Sequence, residues 1–118
     1  MSDWKVLFHS DFEAEFDFID RLVKRELLSI AIILGQYGPA LGRPFVDTLK
    51  GSKFSNMKEI RFRIKGEVWR FAFAFDSVRS AIVLVGGDKR GKNQQKFYSD
   101  LIKIADFRFE AHLTGLKN

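Results

Sequence analysis

The stretch Lys58–Asp76 reads K-E-I-R-F-R-I-K-G-E-V-W-R-F-A-F-A-F-D and decides the fold. Alternate residues of a strand point to opposite faces of a sheet, so the halves on either side of Lys65-Gly66 predict two neighbouring antiparallel strands. One face of the pair would be apolar and mostly aromatic, with Ile60, Phe62, Ile64, Trp69, Phe71, Phe73 and Phe75. The other face would carry Glu59, Arg61, Arg63 and Arg70 beside Ala72 and Ala74.

This second face predicts an arginine-lined hollow above the alanines, where no side chain fills the space and a phosphate could bind. The alternative is an ordinary solvated face, since antiparallel sheets often leave one side to water. The charge balance favours the hollow. Between Arg43 and Arg70 there are eight basic residues against three acidic ones, whereas a solvated face would mix its signs.

Size and composition predict a single globular domain over residues 1–118. The chain is 46% hydrophobic and contains 13 phenylalanines, enough for a packed core. It has no cysteine, which excludes disulfides and thiolate metal sites and fits a cytoplasmic location. The longest apolar run, Leu27–Leu34, is too short to span a bilayer, so no membrane partner is expected.

Charge is unevenly distributed along the chain. Residues 1–35 hold seven acidic and four basic side chains, whereas residues 36–118 hold eight acidic and sixteen basic ones. A basic half beside an acidic half predicts a polyanionic partner on one side of the molecule.

The remaining elements follow from periodicity and turn signals. A strand is predicted at the start, followed by a helix capped by Ser10 or Asp11, with one apolar stripe through residues 12–23. Gly86-Gly87 is expected to end the last strand. The order is β-α-α-β-β-β-α, an α+β fold with helices packed on an antiparallel sheet. The predicted bounds are Trp4–His9 (strand), Glu26–Leu34 (second helix), Tyr37–Lys53 (connection), about 57–65, 67–76 and 80–87 (strands), and Asn93–Leu113 (helix).

Six short motifs in order resemble the RelE/ParE superfamily of toxins, and most closely its HigB-like, phage-related branch. The likeness extends from about Asp11 to Leu113. The motifs are L-G-R-P (41–44), L-K-G (49–51), M-K-E-I-R-F-R (57–63), W-R-F-A-F-A-F-D (69–76), I-V-L-V-G-G-D-K-R-G (82–91) and F-Y (97–98).

The resemblance implies the toxin of a type II toxin–antitoxin pair. Most RelE- and HigB-like members cut mRNA in the ribosomal A site, by attack of a ribose 2′-OH on the adjacent phosphate. This chemistry needs neither a metal nor another cofactor. The implied partners are mRNA, the ribosome and a cognate antitoxin, expected to be a helix-turn-helix DNA-binding protein.

The resemblance also implies the site residues. Arg70 would bind the scissile phosphate, and Tyr98 would stack on a base or assist proton transfer. The implied catalytic residues are Arg61, Arg70, Lys89, Arg90 and Tyr98, and the implied RNA-binding residues are Lys58, Arg63 and Lys92.

Two departures from the family pattern leave the general base open. RelE-type members carry a lysine where this chain has Glu59, and some HigB-type members use active-site histidines. Here His9 and His112 lie outside the expected cluster and are predicted to serve the structure. Free Arg, Lys and Tyr side chains have pKa values of roughly 10 or higher. Glu59 or Asp88 could therefore be the base, or the ribosome could position the RNA so that a weak base suffices.

Other functions and structural roles remain open on the sequence alone. The chain could be a ParE-like inhibitor of DNA gyrase, or a non-catalytic RNA-binding or phage host-takeover protein of the same fold. Arg70 could pair only with Glu59 or Glu67 across the strands. Tyr98 could be a core residue, and Lys89-Arg90 an ordinary charged turn.

Overall fold

The structure is a computed structural model that describes residues 3–88 and 90–117. No helix among these residues is long and apolar enough to cross a bilayer. The elements are β1 (Lys5–Phe8), α1 (Ser10–Phe16), α2 (Arg21–Tyr37), a 3₁₀ turn (Gly38–Ala40), β2 (Val46–Thr48), β3 (Met57–Ile64), β4 (Glu67–Phe75), β5 (Ser80–Asp88) and α3 (Gln94–Leu116).

The described strands form one sheet in the order β1-β5-β4-β3-β2. β1 runs parallel to β5, and the other neighbours are antiparallel. The α+β class is confirmed, with one addition. The short strand β2 lies inside the predicted connection and pairs with β3 at the sheet edge.

Both faces of the sheet are covered by helices. The predicted aromatic face is confirmed, because Ile60, Phe71 and Phe73 pack in one core with residues of α1 and α2. The opposite face packs against α3 through Leu101, Ala105 and Phe109, among others.

The prediction that nothing fills the space above the alanines is wrong. Ala72 and Ala74 are completely buried in the core that α3 forms with the sheet. Small side chains there let the helix approach the sheet closely, so their size serves packing. The predicted arginine-lined hollow is therefore not an open cavity over the alanines.

The boundary between the first two helices lies earlier than predicted. The apolar stripe over residues 12–23 suggests one continuous helix, but residues 17–20 interrupt it. The Asp20 carboxylate accepts a hydrogen bond from the Leu22 amide at 2.8 Å and so caps a new helix. The stripe continues across the break because both helices pack on the same core.

Both histidines serve the structure, as predicted. His9, and not Ser10 or Asp11, is the N-cap of α1, since its Nδ1 accepts from the Asp11 amide at 3.1 Å. Burial lowers the pKa of His9, which favours the neutral ring that can accept this bond. His112 on α3 lies 2.9 Å from Asp76, after the end of β4.

The last strand ends one residue later than predicted, at Asp88, so Gly86-Gly87 lies within β5 and does not break it. Gly86 is required for a different reason. A Cβ built there would lie 2.0 Å from the ring of Phe71, which crosses the glycine backbone.

A bulge in β5 changes which side its last residues face. Ala72 pairs with Val85 and Phe73 pairs with Val83, so Leu84 is an extra residue on β5. An extra residue shifts the alternation by one, and the side chains that follow move to the opposite face.

Candidate active site

The cross-strand register of β3 and β4 positions three of the site residues. Arg61 is paired with Arg70, and Glu59 is paired with Ala72, all on the face covered by α3. Tyr98, in the second turn of α3, reaches down to this face. Its hydroxyl donates a hydrogen bond to Glu59 Oε1 at 2.9 Å. Two strands and one helix thus bring Glu59, Arg61, Arg70 and Tyr98 together.

Arg70 is buried, with only 3% of its surface exposed. Its guanidinium carbon lies 5.5 Å from the ring centre of Phe97 and 5.4 Å from that of Tyr98. Within the described part of the chain, its Nε and Nη1 are buried and have no hydrogen-bond partner. A buried guanidinium with unused donors is costly unless a ligand binds it, and the group these donors fit best is an oxyanion.

Glu59 is only 5% exposed. Burial raises the pKa of Glu59 above its ordinary value, although the hydrogen bond from Tyr98 and the charges of Arg70 and Arg61 act in the opposite direction. A carboxylate with a raised pKa is a stronger proton acceptor near neutral pH than a free one.

Asp88, the other candidate base, is not in this cluster. It pairs with Trp69 after the bulge and so faces α1 and α2. Its Oδ2 accepts from Arg90 Nη2 at 2.9 Å. Of the two candidate carboxylates, only Glu59 therefore lies beside Arg70.

Tyr98 is suited to donate a proton. Burial, followed by the charge and hydrogen bond of Glu59, raises the pKa of the Tyr98 hydroxyl. The hydroxyl therefore stays protonated near neutral pH, and although it is a weaker acid than a free tyrosine, it can still protonate a much more basic alkoxide. The ring also packs at the edge of the core with Phe97, so Tyr98 is at once a packed residue and part of the cluster.

The structure does not bring Arg90 to Arg70. Arg90 forms ion pairs with Glu67 at 3.2 Å and Asp88 at 2.9 Å, and these acids share the face of Trp69. Its catalytic role stays a prediction without support from the geometry. Lys89, predicted beside it, lies outside the described residues.

The predicted RNA-binding residues are dispersed. Lys58 is in register with Phe73 and therefore lies on the face of α1 and α2, away from Glu59. Arg63 is exposed on the face of Arg61 and donates to the carbonyl of the adjacent turn. Lys92 precedes α3 and lies 3.9 Å from Asp100.

Sequence reasoning missed the role of Phe97. Its side chain is buried and lies over Arg70, next to Tyr98. The available signal was its spacing of four residues from Leu101, which places both on the buried side of α3. Among the described residues, no group of three or more His, Cys, Asp or Glu side chains could hold a metal ion.

The fold and site define a small α+β domain with a buried arginine and carboxylate beside a half-buried tyrosine, and its fold is that of a known toxin. A double arginine-to-alanine mutant of the E. coli toxin RelE, in the free state, matches with a TM-score of 0.62. The match covers 86% of this chain and 95% of RelE, at 13% sequence identity.

The chain belongs to the family described as Phage derived protein Gp49-like (DUF891), whose model matches residues 14–110. It is also similar to HigB2 and HigB3 of Mycobacterium tuberculosis (strain ATCC 25618 / H37Rv), both named as candidate toxins. HigB2 is 50% identical over 96 residues, which are 79% of this chain and 47% of HigB2. HigB3 is 50% identical over 83 residues, 70% of each chain. The predicted HigB-like membership is confirmed, although the chain spans about half the length of HigB2.

Proposed function

We propose that this chain is the toxin of a toxin–antitoxin pair and acts as a ribosome-dependent mRNA endoribonuclease. The observation that carries the proposal is the buried guanidinium of Arg70, with two unused donors, beside Glu59 and Tyr98. Cleavage by a 2′-OH needs a cation for the phosphate, a proton acceptor and a proton donor. These three residues supply one of each.

In the proposed reaction, Glu59 removes the proton of the ribose 2′-OH and the 2′ oxygen forms a bond to the adjacent phosphorus. The bond from phosphorus to the 5′ oxygen of the next nucleotide then breaks. Tyr98 gives its proton to that leaving oxygen. The products are a 2′,3′-cyclic phosphate and a free 5′-OH, with the proton left on Glu59 returning to Tyr98 through solvent.

Arg70 and Arg61 would stabilise the negative charge that builds up on the phosphate oxygens. Their direct opposition across β3 and β4 puts two cations on one face of the sheet. Preorganised cations of this kind commonly provide the largest single contribution to such a rate. The proposed mechanism uses no metal ion or other cofactor.

The proposed partners are the mRNA, the ribosome and an antitoxin of the helix-turn-helix type. Residues 36–118 carry sixteen basic side chains against eight acidic ones, which supports docking on ribosomal RNA. A ribosome would also hold the message in a geometry suited to attack by the 2′-OH.

Mapping the 5′ ends of cellular mRNA after brief induction tests this function. Codon-spaced cuts with 5′-OH ends are expected. Breaks in DNA that depend on gyrase, without RNA cuts, would instead identify a ParE-like toxin. If neither RNA cuts nor DNA breaks are found, the remaining interpretation is a non-catalytic binding protein of the same fold. The arginine pair on the α3 face favours the nuclease over the gyrase inhibitor, and the contact between Tyr98 and Glu59 supports catalysis over binding alone.

A further inference from the structure

We infer that the start of α3, through Phe97 and Tyr98, is a movable cap that closes the site and must lift before a phosphate can reach Arg70. This inference rests on the proposed function for the identity of the phosphate. The cap itself can be tested without any RNA cleavage.

The site is closed in this structure. Arg70 and Glu59 are 3% and 5% exposed, respectively, so neither can contact a polymer from solution. The rings of Phe97 and Tyr98 lie over the guanidinium. A phosphate large enough to use the free Nε and Nη1 donors has no way in while both rings stay in place.

The two halves of α3 differ in how many ion pairs hold them to the rest of the protein. The start of the helix is the part that can move. In the part of the chain that the structure describes, the ion pairs that join α3 to other elements come from its second half. Lys92 and Lys96 at the start pair only with Asp100, in α3 itself. The second-half contacts are Arg108 with Glu15 and Asp11, Glu110 with Lys53, and His112 with Asp76.

The hydrogen bond from the Tyr98 hydroxyl to Glu59 ties the start of α3 to the sheet, and the same hydroxyl interacts with Arg70. The start of α3 is also attached by the packing of Phe97 and Tyr98 on the core that α3 forms with the sheet. Just before the helix, Gly91 adopts a positive φ of 77°, a conformation that glycine adopts without strain. The cap can therefore move while the second half of α3 stays docked.

Lifting the cap changes two functional groups together. It uncovers the unused donors of Arg70, and it breaks the bond that occupies the carboxylate of Glu59. Glu59 is then free to accept the proton of a ribose hydroxyl, and the cap closes again over the bound phosphate so that Tyr98 can protonate the leaving oxygen. The Tyr98–Glu59 bond therefore acts as a latch that keeps the free protein in an inactive arrangement.

Chemical modification of arginine tests the cap in the protein as it stands. Phenylglyoxal reacts with accessible guanidinium groups, and peptide mass mapping gives a rate for each arginine. Arg61 is an internal standard, because it is exposed and directly paired with Arg70. In the unmodified protein, Arg70 should react roughly tenfold or more slowly than Arg61, since reaction at Arg70 requires local opening.

Tyr98→Phe removes the latch and keeps the ring. We expect Arg70 to react roughly tenfold faster in this variant, the factor that corresponds to a hydrogen bond to a charged group. Arg61 should not change. Tyr37→Phe, at the other tyrosine of the chain, is the matched control, because Tyr37 is 61% exposed on α2 and should leave both rates unchanged.

Two results would contradict the proposal that Phe97 and Tyr98 form a movable cap. One is an Arg70 rate that stays the same in Tyr98→Phe. The other is a faster Arg70 rate accompanied by faster amide exchange throughout β4, which would mean general loosening. Loss of RNA cleavage affects neither readout, so failure of the proposed function and failure of the cap are distinguishable.

Discussion

Arg61 and Arg70 are directly opposite each other on β3 and β4, so two guanidinium groups share one face of the sheet. Like charges at directly opposed positions are destabilising. Glu59 offsets part of this repulsion, because it lies close enough to interact with both guanidinium charges. These two charges partly oppose the rise in the pKa of Glu59 that burial causes. The remaining positive charge is what an incoming phosphate would neutralise.

Arg70→Ala should abolish growth arrest on induction. If Arg70 binds the scissile phosphate, single-turnover RNA cleavage on ribosomes should fall by about 10²-fold or more, as for other lost transition-state donors. Arg25→Ala is the control, since Arg25 is exposed on α2, on the other side of the sheet. A folded Arg70→Ala variant that still arrests growth would remove Arg70 from the mechanism.

Glu59→Gln should lose cleavage without losing stability. The raised pKa of Glu59 means that the folded state favours the protonated carboxyl. The protonated form therefore contributes to the stability of the fold. This contribution is complete below the ordinary pKa of 4.5 and is lost as the pH rises through the folded pKa. Ionised Glu59 therefore costs stability near neutral pH, and glutamine avoids this cost.

The measurement for Glu59→Gln is thermal unfolding beside ribosome-dependent cleavage. The melting temperature near neutral pH should equal or exceed that of the parent protein, and the difference should shrink as the pH falls toward 4.5. Retention of full cleavage would exclude Glu59 as the base.

Tyr98→Phe should reduce cleavage and change stability little. The ring keeps its packing with Phe97, and the loss of one hydrogen bond to a charged group costs about 1.5 kcal/mol of unfolding free energy. Since the proposed reaction takes its final proton from Tyr98, single-turnover cleavage should fall by about 10²-fold. Unchanged cleavage would restrict Tyr98 to packing and closure of the site.

Asp76→Asn should weaken the protein near neutral pH but not in acid. Burial opposes ionisation of Asp76, but hydrogen bonds from His112, Ser80 and Val78 outweigh it and lower its pKa. Its stabilising contribution is therefore present above the ordinary value of 3.8 and lost as the pH falls through the folded pKa.

Urea unfolding at several pH values measures this effect. The variant should lose about 1.5–3 kcal/mol near neutral pH, the usual value for hydrogen bonds to a charged group. The difference should shrink below pH 3.8. Asp17→Asn, at an exposed carboxylate, is the control. A difference that is constant with pH would show that the charge of Asp76 does not matter.

Cleavage should depend strongly on the ribosome. The cluster holds cations for the phosphate, but its only carboxylate is buried and bonded to Tyr98, so the protein alone aligns a 2′-OH poorly. We expect mRNA in programmed ribosomes to be cut about 10³-fold faster than the same RNA free in solution, on the scale of effective-molarity gains. Single-turnover assays at two salt concentrations measure this, and equal rates would contradict it.

Much of the sheet could be predicted from the alternation of side chains. Ile60 and Phe71 faced the aromatic core as expected, and Arg61 and Arg70 shared the other face, because period two is imposed by the strand itself. The position of α3 could not be predicted in the same way. Nothing in the spacing of Ala72 shows whether water or a helix covers it.

The positions of Asp88 and Arg90 could not be predicted from alternation. Simple counting from Ile82, which faces α3, would put Asp88 beside Arg70. The extra residue at Leu84 reverses this, and no residue type at that point marks the bulge. The cap was equally hidden, because contact between Phe97 and Arg70 depends on how α3 crosses the sheet.

The order of elements along the chain has a consequence for synthesis. Glu59, Arg61 and Arg70 belong to β3 and β4, whereas Tyr98 belongs to α3, which is translated after every strand of the sheet. A nascent chain stopped after β5 therefore holds the phosphate-binding side of the site without its proton donor. On the proposed function, such a chain cannot complete the cleavage reaction, because Tyr98 has not yet been added with α3.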